Sequence, residues 1–134
     1  MNFKFVTIFV IISFLSISVY SQDKVYFDEN WNVTDKQNAS YYRLVANTKS
    51  EKEWIIDYYI SGKKAQEAKY INGKPEGKFS VYYDSGELKV EGIYEKGLKV
   101  GVWKTYYKNG KIKEKGKYDN DEKVGVWKMF YKND

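Results

Sequence analysis

The chain has 134 residues, a length that fits one domain, and 23 basic against 18 acidic residues give it a net charge of +5. It contains no cysteine and no histidine, which excludes disulfides, a thiolate nucleophile, a Ser-His-Asp triad and most transition-metal sites. Aromatic residues make up 19% of the chain, and 14 of them are tyrosines.

The first 21 residues have the pattern of a secretory signal peptide. Lys4 supplies a positive start, residues 5–19 are apolar apart from threonine and serine, and Val19 and Ser21 place small residues before a cleavage point. An uncleaved membrane anchor is disfavoured, because the apolar stretch of about 15 residues is shorter than the roughly 20 that span a bilayer. We therefore expect cleavage after Ser21 and a secreted or periplasmic protein.

Residues 22–53 form an N-terminal leader that does not join the regular pattern of the rest of the chain. Trp31 lies 24 residues before Ile55, but Asn38 stands where later units have glycine. The leader is therefore read either as a decayed unit or as an unrelated segment, in front of a repeat domain at 54–134.

The repeat domain has a period of 24 residues, which is typical of a repeat protein. Apolar or aromatic residues recur at three positions, and all ten glycines fall into four phase classes. The three positions hold Ile55, Phe79, Trp103 and Trp127, then Tyr59, Tyr83, Tyr107 and Tyr131, then Tyr70, Tyr94 and Tyr118. The glycine classes are Gly62, Gly86 and Gly110, then Gly73 and Gly97, then Gly77, Gly101 and Gly125, and finally Gly92 and Gly116.

Each unit is predicted to be a β-hairpin. Residues 103–108 are rich in β-prone side chains, Asn109-Gly110 is a tight-turn signal, and residues 111–118 form the return strand. A longer connection between units is expected to open at pairs such as Lys96-Gly97 and to end at Gly101 and its counterparts. The last strand, 126–132, has no return strand and is expected to be an edge strand.

Alternation along the strands assigns most aromatic side chains to one face of the sheet. The candidate binding residues on this face are Phe79, Tyr83, Trp103, Tyr107, Trp127 and Tyr131. Gly92 and Gly116 leave room there for a neighbouring ring to lie flat. Because a single sheet cannot cover its own face, we expect the leader, through Trp31 or Tyr41, or a second protein to cover it. The rings are either the packing surface of the sheet itself or a recognition platform for a protein or a glycan.

Several segments resemble the MORN repeat, in the variant found in bacterial YwqK-type antitoxins. Residues 101–111 read Gly-Val-Trp-Lys-Thr-Tyr-Tyr-Lys-Asn-Gly-Lys, and Glu91-Gly92-Ile93-Tyr94 matches the middle element of the motif. The segment 115–118 has lysine for glutamate, and the first unit has Ile55 for tryptophan and Ala68 for glycine. The resemblance implies an all-β fold, an elongated single-layer antiparallel sheet of successive hairpins. It also implies association with protein assemblies, with membranes or, for the antitoxins, with a toxin.

The remaining chemistry favours a binding protein over an enzyme. Carboxylates and lysines alternate on strands, where a solvated face is expected, and a flat sheet offers no cleft for a pair of catalytic carboxylates. We expect no catalytic residue, cofactor or metal. From Trp54 onward the basic residues are all lysines, interspersed with acids, which speaks against a nucleic-acid partner.

The prediction is an exported repeat module for protein–protein interaction or scaffolding, with another protein as its partner and a toxin in the antitoxin-like form. The alternative is a cell-envelope surface binder of anionic lipid or glycan.

Overall fold

A computed structural model describes residues 22–45 and 50–131. Within these residues ten β-strands form one antiparallel sheet, in the order β10-β9-β8-β7-β6-β5-β4-β3-β1-β2. The predicted all-β fold, a single-layer antiparallel sheet of successive hairpins, is confirmed. The predicted signal peptide, residues 1–21, lies outside the described residues.

The strands are numbered along the chain. They are β1 (Lys24–Phe27), β2 (Val33–Thr34), β3 (Tyr41–Leu44), β4 (Lys52–Tyr59), β5 (Lys64–Ile71), β6 (Lys74–Tyr82), β7 (Leu88–Glu95), β8 (Leu98–Tyr106), β9 (Ile112–Asp119) and β10 (Glu122–Met129). A short 3-10 turn, Lys36–Asn38, precedes β3.

The connections between units are the shortest in the sheet, so the predicted longer connection is wrong. Between β7 and β8 the turn is only Lys96-Gly97, with φ angles of 50° and 86°. Two residues at positive φ give the turn that matches the twist of paired strands, and Asn72-Gly73 and Asn120-Asp121 repeat the geometry. The following strand therefore begins at once, and Gly77, Gly101 and Gly125 lie inside β6, β8 and β10, where the strand register shifts.

The predicted tight turn at Asn109-Gly110 is a three-residue loop. The amide of Gly110 donates to the Tyr107 carbonyl at 2.9 Å, and the Tyr107 amide donates to the Lys111 carbonyl at 2.9 Å. Asn109 is not at positive φ, and its side-chain oxygen accepts from the Lys111 amide at 3.1 Å. The Asn side chain stabilises this wider loop by bonding the backbone two residues on.

The leader extends the sheet sideways as β1, β2 and β3, so the prediction that it covers the aromatic face is wrong for its described residues. β3 pairs with β4 through Tyr41 opposite Tyr59 and Arg43 opposite Asp57. The ring of Trp31 stacks on that of Tyr41, with centroids 4.2 Å apart and planes 4° from parallel. An unpaired β4 would expose a row of backbone hydrogen-bonding groups, and pairing with β3 satisfies them.

The sheet has very little fully buried apolar surface. Among the described residues only Ala65, Ala68 and Trp103 are buried hydrophobics, and the buried polar ones are Asp57 and Ser80. No second layer covers either face within the described part of the chain. At the C-terminal side, β10 is the edge strand, as predicted. Within residues 22–45 and 50–131, both faces and the β10 edge are therefore open surfaces.

Candidate functional site on the aromatic face

A row of five rings crosses one side of the sheet, which we call the aromatic face. Phe79, Tyr94, Trp103, Tyr118 and Trp127 come in turn from β6, β7, β8, β9 and β10. Successive ring centroids are 5.3, 5.2, 5.8 and 5.1 Å apart, with planes at 78° to 89°. Edge-to-face pairs of this kind contribute about 0.5–1.5 kcal/mol each beyond the area they bury. The 24-residue period thus builds one continuous ladder of perpendicular rings.

The two tryptophans lie flat on glycines of the preceding return strand. A Cβ added to Gly92 would overlap the indole of Trp103, and one added to Gly116 would overlap that of Trp127. This close approach confirms the predicted role of the two glycines. In the first unit the equivalent residue is Ala68, which is 3% exposed and lies beside Phe79. A phenyl ring is smaller than an indole and leaves space for the alanine methyl.

Lysines border the row of rings. The Lys99 ammonium is 4.9 Å from the Trp103 ring centroid and 5.1 Å from that of Tyr118. The Lys123 ammonium is 3.9 Å from the Trp127 ring centroid. Cations over aromatic rings are attracted to the negative ring faces, and their alkyl chains shield the rings from water.

The aromatic face forms an open groove of about 410 Å³. Its walls include Val81, Val90 and Thr105 beside the rings. Trp103 is only 5% exposed and forms the floor, whereas Trp127 is half-buried and lies at the β10 end. The indole nitrogen of Trp103 donates to the Val100 carbonyl at 3.2 Å, but that of Trp127 is buried with no partner among the described residues. The groove is therefore most rigid at its centre and least complete next to the free edge.

The structure separates the six predicted binding residues into two groups. Phe79, Trp103 and Trp127 belong to the row of rings, but the tyrosines of the other phase lie at the hairpin ends. The Tyr83 hydroxyl donates to the Tyr106 carbonyl at 2.7 Å, and the Tyr107 hydroxyl donates to the Phe130 carbonyl at 2.8 Å. These tyrosines therefore link each hairpin to the next.

Tyr131 has the same phase but follows the last described strand. Its side chain is 89% exposed. It continues the spacing of Tyr83 and Tyr107 without an acceptor among the described residues.

Tyr94 and Tyr118 are the members of the site that the list of predicted binding residues lacked. The repeat period and the alternation of β7 and β9 placed both on the aromatic face. Their contacts with the tryptophans depend on which strands are neighbours, since Tyr94 touches rings from both β6 and β8.

Comparison with known families identifies the repeating unit. Residues 75–96 and 99–120 match the family model of the MORN repeat variant. The two matched MORN-variant repeats are the hairpins β6–β7 and β8–β9, which carry the centre of the aromatic face. No curated protein and no solved structure is significantly similar to the chain.

On the opposite face, a carboxylate of the strand before each matched repeat pairs with a tyrosine of that repeat's first strand. The Tyr82 hydroxyl donates to Glu67 at 2.5 Å, and the Tyr106 hydroxyl donates to Glu91 at 2.6 Å. The bond from Tyr106 lowers the pKa of Glu91, and burial together with Glu91 raises the pKa of Tyr106 to about 12. One period further along, the same two positions hold Lys115 and Phe130.

Metal ligation and membrane crossing each require a feature that can be checked in the described residues. These residues contain no group of three or more His, Cys, Asp or Glu side chains that could hold a metal ion. None of their helices is long and apolar enough to cross a membrane.

Proposed function

We propose that this chain is an exported, non-catalytic MORN-variant repeat module whose aromatic face binds another protein in a scaffolding role. The observation that carries the proposal is the groove over Phe79, Trp103 and Trp127, which no second layer covers among the described residues. Tyrosine and tryptophan supply a large contact area with little loss of side-chain freedom, and they are enriched in protein interfaces.

A partner protein is favoured over a stacked sugar by the exposure of the rings. Trp103 is 5% exposed, and the Lys123 ammonium lies over Trp127. A sugar needs the open face of a ring, whereas a protein side chain can enter the groove between ring edges. The groove walls at Val81, Val90 and Thr105 offer apolar contacts for such a side chain.

The antitoxin-like form of this role rests on the resemblance of residues 101–111 and 125–131 to YwqK-type antitoxins. The export pattern of residues 1–21 supports action outside the cytoplasm, so the form proposed is immunity against a toxin in the envelope or outside the cell. An adjacent toxin-like reading frame, whose product binds this chain, would support it. A partner with no toxic activity would be consistent with the scaffold role but would contradict the immunity role.

The alternative function, a surface binder of anionic lipid, predicts a different behaviour. Lysines on the sheet would attract an anionic bilayer, and salt would abolish that attraction. Flotation of the full chain with anionic vesicles, with and without added salt, tests this alternative directly.

The test of the proposed function is co-purification of the mature protein with chemical cross-linking in the native envelope fraction. Thr105→Arg places a long charged side chain in the groove, and Ile93→Arg makes the same addition on the opposite face as a matched control. We expect a stoichiometric protein partner that is lost with Thr105→Arg and kept with Ile93→Arg, while thermal melts show that both variants fold. A partner retained equally by both variants would rule out the aromatic face as the binding surface.

A further inference from the structure

Two grooves on the face opposite the aromatic face are related by the 24-residue repeat. The first groove, of about 330 Å³, is lined by Gly77, Lys78, Glu91, Gly92, Ile93, Val102 and Lys104. The second groove, of about 230 Å³, is lined by Val102, Lys104, Lys115, Gly116, Lys117, Val126 and Lys128. One repeat step replaces Lys78 by Val102, Glu91 by Lys115 and Ile93 by Lys117. The same backbone thus presents two different chemistries.

The first groove contains its own counter-charge. Glu91 lies directly opposite Lys104 in the strand register, and the Lys104 ammonium is 3.3 Å from its carboxylate. The Tyr106 hydroxyl satisfies the same carboxylate oxygen at 2.6 Å. An anionic ligand would have to displace this carboxylate, so the first groove is not an anion site.

The second groove has four lysines and no carboxylate in its lining. Lys104 lies directly opposite Lys115, and Lys115 lies directly opposite Lys128, so three lysines stand in one row across β8, β9 and β10, and Glu91 of β7 holds the Lys104 ammonium at one end of the row. Like charges opposite one another destabilise a sheet. A bound anion would relieve this repulsion.

The change of chemistry involves two positions that alter together. Phe130 replaces the tyrosine that would donate to a carboxylate, and the Lys115 ammonium lies 5.7 Å from the Phe130 ring centroid. The carboxylate and the tyrosine hydroxyl of the Glu91–Tyr106 pair are therefore both absent from this repeat, so neither is left without the other.

The walls of the second groove are apolar and open. Val102 is 46% exposed and Val126 is 81% exposed, on the strands that flank Lys117. Along β9, Lys115 and Lys117 are two residues apart, which is about 6.6 Å in a strand. An extended peptide has the same spacing between alternate side chains, so it can place a carboxylate on the lysine row and an apolar side chain between the valines.

We propose that the second groove binds an acidic segment of a partner protein in extended conformation. Its carboxylate lies on Lys115 and Lys128 of this row, and an apolar side chain two residues away packs between Val102 and Val126. A bilayer surface is less suited, because the charge is confined to a narrow trough at one repeat while the equivalent trough next to it is neutralised. This site lies on the face opposite the groove of the proposed function, so the two proposals fail independently.

The first experiment measures binding of a fluorescein-labelled peptide, Glu-Ser-Leu-Ser-Glu, to the mature protein, with Gln replacing Glu in a control peptide. Lys115→Glu with Lys117→Ile gives these two positions of the second groove the residues of the first. We expect the acidic peptide alone to bind, with an affinity that falls as salt rises, and the double variant to lose on the order of tenfold in affinity. Its melting temperature should not fall, since the substitution removes like-charge neighbours.

Two further variants make the test specific. Lys89→Ile with Lys108→Glu changes the net charge equally at the hairpin ends beside Tyr83, outside the groove, and should bind the peptide as the unaltered protein does. Adding Lys78→Val, Glu91→Lys and Ile93→Lys to the first double variant should restore binding, one repeat along the sheet.

Four results would overturn the proposal. They are equal binding of the Gln peptide, unchanged affinity in the Lys115→Glu, Lys117→Ile variant, loss of affinity in the hairpin-end control, and no rescue by the transplanted lysines. Anionic phosphatidylserine vesicles that bind through Lys115 and Lys117 while the peptide does not would assign the groove to a lipid surface instead.

Discussion

The leader end of the sheet and its MORN-variant end hold adjacent strands together by different means. Val81 and Thr105 hold the same position in successive 24-residue units, and the equivalent residue at the leader end is Asp57, which is 1% exposed. Its two carboxylate oxygens accept from Arg43 at 2.6 and 2.8 Å, and a Gln66 amide adds a bond at 2.8 Å. At the MORN-variant end the rings of Trp103 and its neighbours cover the sheet instead.

The difference shows what a single-layer sheet can bury. An ionised carboxylate survives burial only when charged and polar partners satisfy it, and the Asp57 bond in turn raises the pKa of Arg43. The rings need no hydrogen-bonding partner, but each indole needs a glycine beneath it so that it can lie flat on the sheet. The leader is therefore joined to β4 by a buried ion pair in addition to ring contacts, and the repeats are joined by rings that lie on glycines together with tyrosine hydrogen bonds.

The largest effect is expected at the centre of the row of rings. Trp103→Ala should lower the free energy of unfolding by about 3–5 kcal/mol, because it empties a buried site between Tyr94 and Tyr118. Trp127→Ala, at the half-buried end, should cost less than half as much. Denaturant melts of both variants measure the difference, and equal costs would show that the edge is as well packed as the centre.

Loss of the buried carboxylate is expected to come next. Asp57→Ala leaves the Arg43 guanidinium without its partner and should cost about 3 kcal/mol, a value reduced by the partial exposure of Arg43. Combining Asp57→Val with Arg43→Leu, which imitates the apolar chemistry of the repeats, should recover much of that loss. If the double variant is no more stable than the single one, the leader is not held chiefly by this pair.

Substitution of the two glycines beneath the indoles should also cost more stability at the centre of the row than at its edge. Gly92→Ala drives a methyl group into Trp103, whose ring is confined on both sides, and should cost about 2–3 kcal/mol. Gly116→Ala should cost about 1 kcal/mol, because Trp127 can move toward the open edge. Chemical denaturation measures the free energy of unfolding of both variants. Gly110→Ala, in an exposed turn at positive φ, gives the cost of an alanine that touches no ring.

The tyrosines at the hairpin ends should have a smaller effect. Tyr83→Phe removes the hydroxyl that bonds the Tyr106 carbonyl and should cost about 1 kcal/mol. Tyr131→Phe removes an exposed hydroxyl of the same phase and should leave the stability unchanged. A loss with Tyr131→Phe would indicate that this hydroxyl, too, has a partner.

The smallest effect is a pH dependence at Glu91. The Tyr106 bond lowers the pKa of Glu91 in the folded state, so its stabilising contribution is present above the unfolded value and is lost as the pH falls through the folded one. Glu91→Gln should therefore destabilise by under about 1 kcal/mol at pH 7 and by less near pH 3. Melts across this range, with exposed Glu95→Gln as the control, test the sign. Ultraviolet titration should also show the pKa of Tyr106 falling from about 12 in the same variant.

Much of the fold could be predicted from the spacing of residues alone. A period of 24 fixes the hairpin unit, and alternation within each strand fixes which rings share a face, so Phe79, Trp103 and Trp127 were placed correctly. The role of Gly92 also followed, because the missing side chain and the neighbouring ring occupy known positions in a pleated sheet.

Other features depended on residues far apart in the chain. The Tyr83 hydroxyl bonds a carbonyl 23 residues later, in the next hairpin. The burial of Asp57 required Arg43, which lies in a segment that shows no repeat.

The sequence by itself therefore determined the hairpin, its period and the aromatic side of the sheet, because these follow from local alternation and from glycine. Only the tertiary structure decided that the leader adds strands rather than covering the rings, and that one lysine groove lacks a counter-charge while its neighbour has one. Both depend on which strands lie side by side and on how side chains from neighbouring strands meet, and a one-dimensional pattern does not specify these contacts.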